Sequence, residues 1–433
     1  MSIKKNISIT FISQIIIAGI GFILSVFIAR LLGAEGRGAY ALYQNSVQLA
    51  GVWLGFSLSS TIIYFTQQGE MNTSRLLGNA IILLLLSTLL SMTVLLVLYL
   101  YDHHNIIYSD SRYFFIVALI FGLHFFFSQN TALWNAYLNA KGFFTFASMA
   151  NIITLTLHLL FAIILYFIIS SKNPLLTLLI GNLIIYILQS IVLFLYSIHK
   201  TNIRPQFAIL PTVFLYKIII FGGLAYLCNA IQFLSYRLDI WILDHYHSSK
   251  LTGIYALTVS LAQMVWLIPQ SIATVFYAQA SGKDISFIKD FMYKYTPLAV
   301  YSCILLGVMA SMFFMLFASI LFGNEFIEIG PYILVLLLGL IPFSIVIMAG
   351  SFFAAMGKVN INLFIAIIAF IIVLVLDLLW IPIYGIWGAI AATIISYLAS
   401  VIGAIYYLFK YKLNLIELFN LSKAIELINI WTR

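Results

Sequence analysis

Polar side chains recur at helical spacing inside one apolar stretch of the chain. Asn229, Gln232, Tyr236 and Asp239 stand at positions i, i+3, i+7 and i+10, which places them on one face of a helix. Arg237 stands on a neighbouring face of the same helix. A cation with amides and hydroxyls binds charged and hydroxylated groups through charge and hydrogen bonds, without covalent chemistry. The stripe therefore predicts a wet binding surface, or alternatively a helix–helix contact.

Further polar residues lie in other apolar stretches. Gln14, Gln48 and Gln263 are candidate hydrogen-bond donors to a polar ligand, and an interhelical hydrogen bond is the alternative for Gln48 and Gln263. Asp377 and Asp239 are acids within apolar stretches, and both are candidates for coupling to protons or sodium ions. The alternative for Asp377 is a side chain that reaches the membrane surface.

Motifs for covalent catalysis or metal binding are absent from the sequence. It contains no HExxH motif, no paired Cys or His ligands and no phosphate-binding glycine loop. Cys228 and Cys303 are expected to be buried thiols. His124 and His158 are expected to pack through hydrogen bonds, with a proton relay as the alternative. The sequence therefore predicts neither an enzyme nor a bound metal or organic cofactor.

The composition requires that these residues lie in a membrane. Hydrophobic residues make up 64% of the 433 residues and charged residues 8%, whereas soluble domains carry roughly 25% charged residues. Such a chain cannot cover a water-facing surface, and its apolar stretches must be helical because lipid offers backbone groups no partners. The net charge of +8 is interpreted as the charge of membrane-flanking loops rather than as a nucleic-acid surface.

About twelve stretches are long enough to cross a membrane, which takes roughly 20 apolar residues. The first is too apolar over too great a length to be a cleaved signal peptide. The predicted spans are 7–29, 39–66, 76–101, 113–136, 143–169, 175–198, 213–243, 251–279, 292–322, 330–356, 359–381 and 384–409.

The distribution of Lys and Arg predicts the orientation of these spans. With a cytoplasmic N-terminus, only Arg30, Arg37, Arg112, Lys172 and Lys250 fall on the outer side, and Arg237 lies within a span. The remaining 15 of the 21 basic residues lie on the inner side. This asymmetry follows the positive-inside rule and predicts that both termini are cytoplasmic.

A repeat with an offset of 215 residues divides the chain. Gly38, Tyr40 and Gln48 recur as Gly253, Tyr255 and Gln263, and later matches in the two halves keep the same offset. Because the first half contributes an even number of spans, the repeat is parallel. The sequence thus predicts an all-α polytopic membrane protein with two six-helix lobes and a central cavity. The predicted segments are an N-terminal lobe at 1–200, a cytoplasmic linker at 201–212, a C-terminal lobe at 213–410 and an interfacial amphipathic tail at 411–433.

Three segments resemble the oligosaccharide flippases of the multidrug/oligosaccharidyl-lipid/polysaccharide exporter superfamily, the Wzx type. They are ARLLGAEGRGAYALYQNSVQLAGVWLGFSLSSTIIYF at 29–65, DIWILDHYHSSKLTGIYAL at 239–257 and IPIYGIWGAIAATIISYLAS at 381–400. The resemblance implies a bacterial inner-membrane protein that moves an undecaprenyl-diphosphate-linked oligosaccharide, such as an O-antigen or capsule repeat unit, to the outer leaflet. Its implied partners are this lipid-linked oligosaccharide, membrane lipids and polysaccharide polymerases or glycosyltransferases; no nucleic acid is implied.

This resemblance gives the candidate residues their expected roles. Arg237 is expected to bind the diphosphate, although it could instead reach the outer interface or pair locally. Arg30 is a second candidate, with anchoring to lipid headgroups as its alternative. The amides of the stripe and of Gln14, Gln48 and Gln263 are expected to donate hydrogen bonds to sugars.

Other functions are compatible with parts of the sequence. A cation-coupled multidrug exporter of the same superfamily would favour buried acids such as Asp239 and Asp377 over buried cations. A lipid II flippase would have spans beyond the twelve that are counted. A membrane enzyme of polysaccharide assembly, such as a polymerase or an acyltransferase, is a further alternative, but a polymerase would need a large outer loop that the sequence lacks.

Overall fold

The structure, a computed structural model, describes residues 3–55, 58–68, 72–100, 114–169, 171–207, 212–280, 284–414, 416–420 and 422. Thirteen helices follow one another in these residues, and three short 3₁₀ segments accompany them. The helices are α1 (Ile3–Leu54), α2 (Leu58–Gln68), α3 (Thr73–Leu100), α4 (Phe114–Ala140), α5 (Phe144–Phe167), α6 (Pro174–Thr201), α7 (Thr212–Tyr246), α8 (Ser249–Ala262), α9 (Leu267–Ala280), α10 (Ile285–Phe322), α11 (Ile329–Ala355), α12 (Val359–Tyr384) and α13 (Ile386–Lys410).

The predicted all-α membrane fold is confirmed. The residues that the structure describes contain helices and turns without a strand, and ten of their helical stretches are long and apolar enough to cross a membrane. Large apolar side chains such as Leu86, Leu89 and Leu316 are exposed, as expected where lipid rather than water surrounds the helices. The protein is therefore a multi-pass membrane protein.

A kink at Gly33 separates the first two predicted spans inside the continuous helix α1. Gly33 has φ 64° and ψ −175°, a backbone conformation that is open to glycine and strained for other residues. The first span ends at this kink, and the second continues through the rest of α1 into α2. The glycine thus provides the turn that the sequence predicts between residues 29 and 39.

Gly33→Ala is expected to destabilise the protein by about 1–3 kcal/mol, because a Cβ at this φ is strained. The measurement is Tm of the purified protein in detergent. Gly19→Ala is the matched control, since a Cβ at this position in α1 meets nothing within 4 Å. Equal Tm values for the two variants would contradict the assigned role of the kink.

The eighth predicted span is interrupted by a 3₁₀ segment between α8 and α9. Pro269 lacks the backbone N–H that would bond the carbonyl of Val265 four residues earlier, and its ring crowds that carbonyl. The Cys303 thiol donates to the Val265 carbonyl at 3.3 Å and satisfies it instead. The resulting 3₁₀ segment, Gln263–Trp266, sets the direction of the Gln263 side chain.

The chain divides into two compact units, Met1–Phe233 and Leu234–Arg433, with the boundary inside α7. The core of unit 1 includes Leu77, Trp134 and Tyr137, which are all buried. Unit 2 has a core around Met348, Phe352 and Phe353. The lobe boundaries, the linker at 201–212 and the central cavity stay predictions.

The first part of the predicted tail packs against α10. Tyr301 donates from its hydroxyl to the Phe419 carbonyl at 2.8 Å, and the Asn414 N–H donates to the Tyr293 hydroxyl at 2.8 Å. Leu418 is buried in the core of unit 2. Residues 423–433 lie outside the described residues, and the interfacial helix stays a prediction there.

Candidate functional site

Arg237 and Gln263, two residues singled out in the sequence, contact each other in unit 2. Arg237 lies on α7, and its Nη2 donates to Gln263 Oε1 at 3.2 Å. Gln263 begins the 3₁₀ segment that interrupts the eighth span, and both side chains are partly buried. Because the acceptor is a neutral amide, this hydrogen bond orients the guanidinium group without neutralising its charge.

A cluster of aromatic rings lies next to this pair. The ring of Tyr236 lies 6.0 Å from Trp266, 6.1 Å from Phe343 and 6.0 Å from Tyr397, measured between ring centroids. Trp266 is buried and donates from Nε1 to the Leu340 carbonyl at 2.9 Å. Trp266, Phe343 and Tyr397 are all buried, so the cluster supports α7 from within the unit. Tyr236 is the half-buried member.

Asp239 lies two residues after Arg237 and is buried among polar groups. The Tyr255 hydroxyl donates to its Oδ2, and the N–H of Ile240 donates to its Oδ1 at 2.8 Å. The Tyr255 hydroxyl also lies 3.4 Å from the Thr393 hydroxyl. Asp239 interacts electrostatically with Arg237. The carboxylate is therefore held in a fixed position by helices α7, α8 and α13.

Asp377 on α12 faces this arrangement without a hydrogen bond of its own. Its side chain is 0% exposed, and within the described part of the chain neither carboxylate oxygen has a hydrogen-bond partner. It interacts electrostatically with Asp239 and with Tyr255. Two acids at such a site in an apolar interior cannot both stay charged without compensation. The donor set, two carboxylates and two hydroxyls, fits a proton or a small monovalent cation.

The other candidates all lie in unit 1, and their side chains are accessible. Asn229 and Gln232 on α7 are exposed. Gln14, Gln48 and Arg30 are also exposed. Within unit 2 the structure thus brings together Arg237, Gln263, Tyr236, Asp239 and Asp377, which lie in three separate predicted spans.

Three residues of this site were not selected from the sequence. Tyr255 is the hydrogen-bond donor to Asp239, Thr393 lies beside it, and Tyr397 interacts with both Gln263 and Arg237. The only signal in the sequence was that Tyr255 recurs at the repeat offset from Tyr40. Thr393 and Tyr397 are ordinary residues of an apolar span, and only the packing of α13 reveals them.

A second group of buried polar residues lies in unit 1. His124 on α4 shares a hydrogen bond of 3.1 Å between its Nδ1 and the Tyr43 hydroxyl. His158 on α5 is buried, and its ring lies 5.2 Å from that of Tyr186 on α6. The expected packing role is therefore visible for His124, whose ring nitrogen has a partner.

A comparison with family models gives a match over most of the chain. A family model described as "Polysaccharide biosynthesis protein" matches residues 3–278. The comparison with curated proteins gives no match.

Solved structures of low sequence identity share the fold. The lipid II flippase MurJ in an inward closed conformation has a TM-score of 0.73 at 17% identity, covering 96% of this chain and 89% of that chain. A multidrug resistance MATE family transporter of the MOP superfamily in an inward-facing conformation has a TM-score of 0.67 at 13% identity, covering 95% of both chains. The Vibrio cholerae MATE transporter VcmN in the bent form has a TM-score of 0.62 at 16% identity, covering 94% of this chain and 96% of that chain.

Proposed function

The chain belongs to the polysaccharide biosynthesis protein family, and from this membership we propose that it is a flippase for lipid-linked oligosaccharide. The proposed substrate is an undecaprenyl-diphosphate-linked repeat unit of the O-antigen or capsule type. It moves from the cytoplasmic to the outer leaflet of a bacterial inner membrane by alternating access, with both protein termini in the cytoplasm. No covalent bond changes, and the protein is not an enzyme.

The observation that carries this proposal is the environment of Arg237. A cation on an intramembrane helix is costly, and its presence there is by default a sign of function. Its hydrogen-bond partner Gln263 is neutral, so the charge is offset by the electrostatic interaction with Asp239 but not by an ion pair at the hydrogen-bonded end of the side chain. A guanidinium group offers several N–H donors in one plane, which suits the oxygens of a diphosphate.

The remaining candidates fit the other parts of the substrate. Asn229, Gln232, Gln14 and Gln48 have exposed side chains, and their amides can donate hydrogen bonds to sugar hydroxyls. Arg30 is exposed as well and can bind the diphosphate or lipid headgroups. The polyprenyl tail stays in lipid, because its transfer into water would cost about 0.8 kcal/mol for each CH₂ group.

Coupling to an ion gradient belongs to the same proposal. Asp239 and Asp377 are buried together, and Asp377 lacks a hydrogen-bond partner within the described residues. A bound proton or sodium ion supplies the positive charge that this pair of acids needs. The hydroxyls of Tyr255 and Thr393 lie at the same site.

Deletion of the gene in its native host tests the proposed function. Surface polysaccharide and lipid-linked oligosaccharide are scored together. Loss of surface glycan, with the intact intermediate retained on the cytoplasmic leaflet, is the expected result. Unchanged surface glycan with increased sensitivity to cationic dyes would overturn the proposal in favour of a drug exporter.

A cation-coupled multidrug exporter is the second candidate function. It is favoured by the buried acids Asp239 and Asp377, since cationic substrates or coupling ions need negative charge. The buried position of both acids suits a small ion better than a drug-sized cation. Physical association with a polymerase or with glycosyltransferases is an additional expectation of the flippase proposal.

Gln263→Glu is expected to reduce glycan export about tenfold or more, because a carboxylate in place of the amide would form an ion pair with Arg237 and occupy its charge. Gln263→Leu removes the orienting hydrogen bond without adding a charge, and a loss of about fivefold is expected from a contribution of roughly 1 kcal/mol. Export is measured as the rate at which surface glycan reappears after induction of the variant.

Gln48→Glu is the matched control for these variants. Gln48 is the repeat counterpart of Gln263, and its side chain is exposed. Its substitution should have a smaller effect than Gln263→Glu. An equal loss in both variants would mean that added charge, rather than the contact with Arg237, causes the defect.

A further inference from the structure

The two halves of the repeat build polar clusters around equivalent tyrosines. Tyr40 and Tyr255 are 215 residues apart, and each bonds to a polar side chain on the last helix of its own half. Tyr255 lies beside Thr393 on α13, and Tyr40 accepts a hydrogen bond of 3.3 Å from Asn182 Nδ2 on α6. The repeat therefore preserves the position of the tyrosine and the helix that it contacts.

Each half has a titratable residue in its polar cluster, on the helix that precedes its last helix. In the second half it is Asp377 on α12; in the first half it is His158 on α5. The two helices start at Phe144 and Val359, which are also 215 residues apart. In that register His158 lies one helical turn from the position equivalent to Asp377, on the same helix face. The first half thus has an imidazole close to the position where the second half has a carboxylate.

Tyr186 on α6 lies between two imidazoles in unit 1. Its ring is 4.8 Å from that of His124 and 5.2 Å from that of His158. His158 also interacts with the backbone carbonyl of Asn182. The cluster therefore joins α1, α4, α5 and α6 through aromatic and polar side chains.

One nitrogen of this cluster has no partner. His158 is 8% exposed, and its Nε2 is buried without a hydrogen bond to any described residue. A neutral imidazole has one donor nitrogen and one acceptor nitrogen. An unsatisfied buried acceptor is costly to retain in a packed helix bundle. The nitrogen is therefore available to accept a proton.

The charges around His158 disfavour its protonated form in the packed arrangement. The titratable groups that face the cluster are Tyr40 and Tyr43 from α1, His124 from α4 and Tyr186 from α6. The Arg37 guanidinium lies 5.5 Å from the centre of the Tyr40 ring and adds positive charge. No carboxylate is among these groups, so a proton on His158 would add uncompensated positive charge.

We propose that His158, with His124 as a second imidazole, forms a proton-binding site in the first half of the protein, and that proton uptake loosens the packing of α5 against α1 and α6. In the repeat register His158 lies one helical turn from the position equivalent to Asp377, whereas the position equivalent to His124 is Gly339. Without a carboxylate the site takes a proton rather than a metal cation. This inference rests on the geometry of unit 1 and not on the identity of the transported substrate.

The test is a pH titration of stability and of histidine NMR signals. Purified protein in nanodiscs is labelled with ¹⁵N-histidine, and Tm is measured between pH 8 and pH 5. Free imidazole takes up a proton near pH 6.5. Below that pH, each of the two buried histidines should lower the stability of wild-type protein by up to a factor of ten in the unfolding equilibrium for each pH unit, and His158→Gln should lack the part that belongs to His158.

His199→Gln is the matched control, because His199 is an exposed histidine on α6. It should retain the wild-type loss of stability on acidification. An equal acid-induced loss in His158→Gln and wild type would overturn the proposal. If His158→Gln does not fold, NMR decides. The His158 signal, assigned as one that His124→Gln shifts but does not remove, should titrate while the protein is still folded. A His158 signal that stays neutral until the protein unfolds would overturn the proposal.

Discussion

Arg237→Ala is expected to abolish export of surface glycan while the protein stays in the membrane at its normal abundance. The guanidinium group is oriented by Gln263 at 3.2 Å and supplies the proposed contact with the diphosphate. Charge-assisted hydrogen bonds contribute roughly 1.5–3 kcal/mol each, so loss of a bidentate contact reduces affinity by about 100-fold or more. Export and membrane abundance are measured in the same cells, by surface glycan quantification and by immunoblot.

Arg237→Lys should restore only part of the activity. A lysine keeps the charge but presents it as a point, without the planar pair of donors that suits a diphosphate. Lys250→Ala is the matched control, because Lys250 is a cation in the same unit that forms an exposed ion pair with Glu325 at 2.9 Å. Wild-type glycan levels in Arg237→Ala would remove the main support for the flippase proposal.

The fold could be predicted from the sequence because the local composition of each span identifies it as membrane-spanning. A stretch of about 20 apolar residues has one stable arrangement in lipid, a helix, and this rule located α3 to α6 and α10 to α13 correctly. Local composition did not predict two details of the helices. The first is that two predicted spans belong to the single helix α1, which is kinked at Gly33. The second is that Pro269 interrupts one predicted span, which therefore forms the two helices α8 and α9.

The candidate site was only partly visible in the sequence. Helical spacing identified the stripe on α7, because residues on one helix are related by a fixed geometry. The contact between Arg237 and Gln263 joins two different helices, and no local pattern encodes such a contact. The repeat also predicted similar roles for Gln48 and Gln263, but one side chain is exposed and the other bonds to Arg237.

The repeat explains where the two halves diverge in chemistry. Duplication keeps helix positions and packing contacts, as at Tyr40 and Tyr255, because these determine stability. The titratable residues can differ between the two halves where each half has a separate function. The acids Asp239 and Asp377 in the second half and the imidazoles His124 and His158 in the first are consistent with this division.

Asp377→Asn is expected to abolish the dependence of transport on the coupling ion and to remove the stabilisation of the protein by that ion. A ligand that binds the folded state alone stabilises it by about 2.7 kcal/mol at a concentration 100 times its Kd. Wild-type protein at pH 8 should therefore gain several degrees in Tm when choline chloride is replaced by sodium chloride, if sodium is the ion. Asp377→Asn should show no gain, because an amide cannot supply the negative charge. Its Tm without sodium should equal or exceed that of wild type, since an uncompensated buried carboxylate is costly.

Asp244→Asn distinguishes the loss of the buried acid pair from the loss of any other acid in unit 2. Asp244 lies on α7 like Asp239, but it is only half-buried, and the Ser249 hydroxyl donates to it at 2.8 Å, so its variant should keep the sodium response. If wild type shows no sodium response at pH 8, the same comparison at pH 6 tests a proton at the acid pair: Asp377→Asn must then differ from wild type in the pH dependence of transport. Because His158 is unchanged in Asp377→Asn, the loss of stability on acidification that is assigned to His158 should remain in that variant. A sodium-independent Tm together with an unchanged pH profile of transport in Asp377→Asn would show that the buried acids serve packing alone.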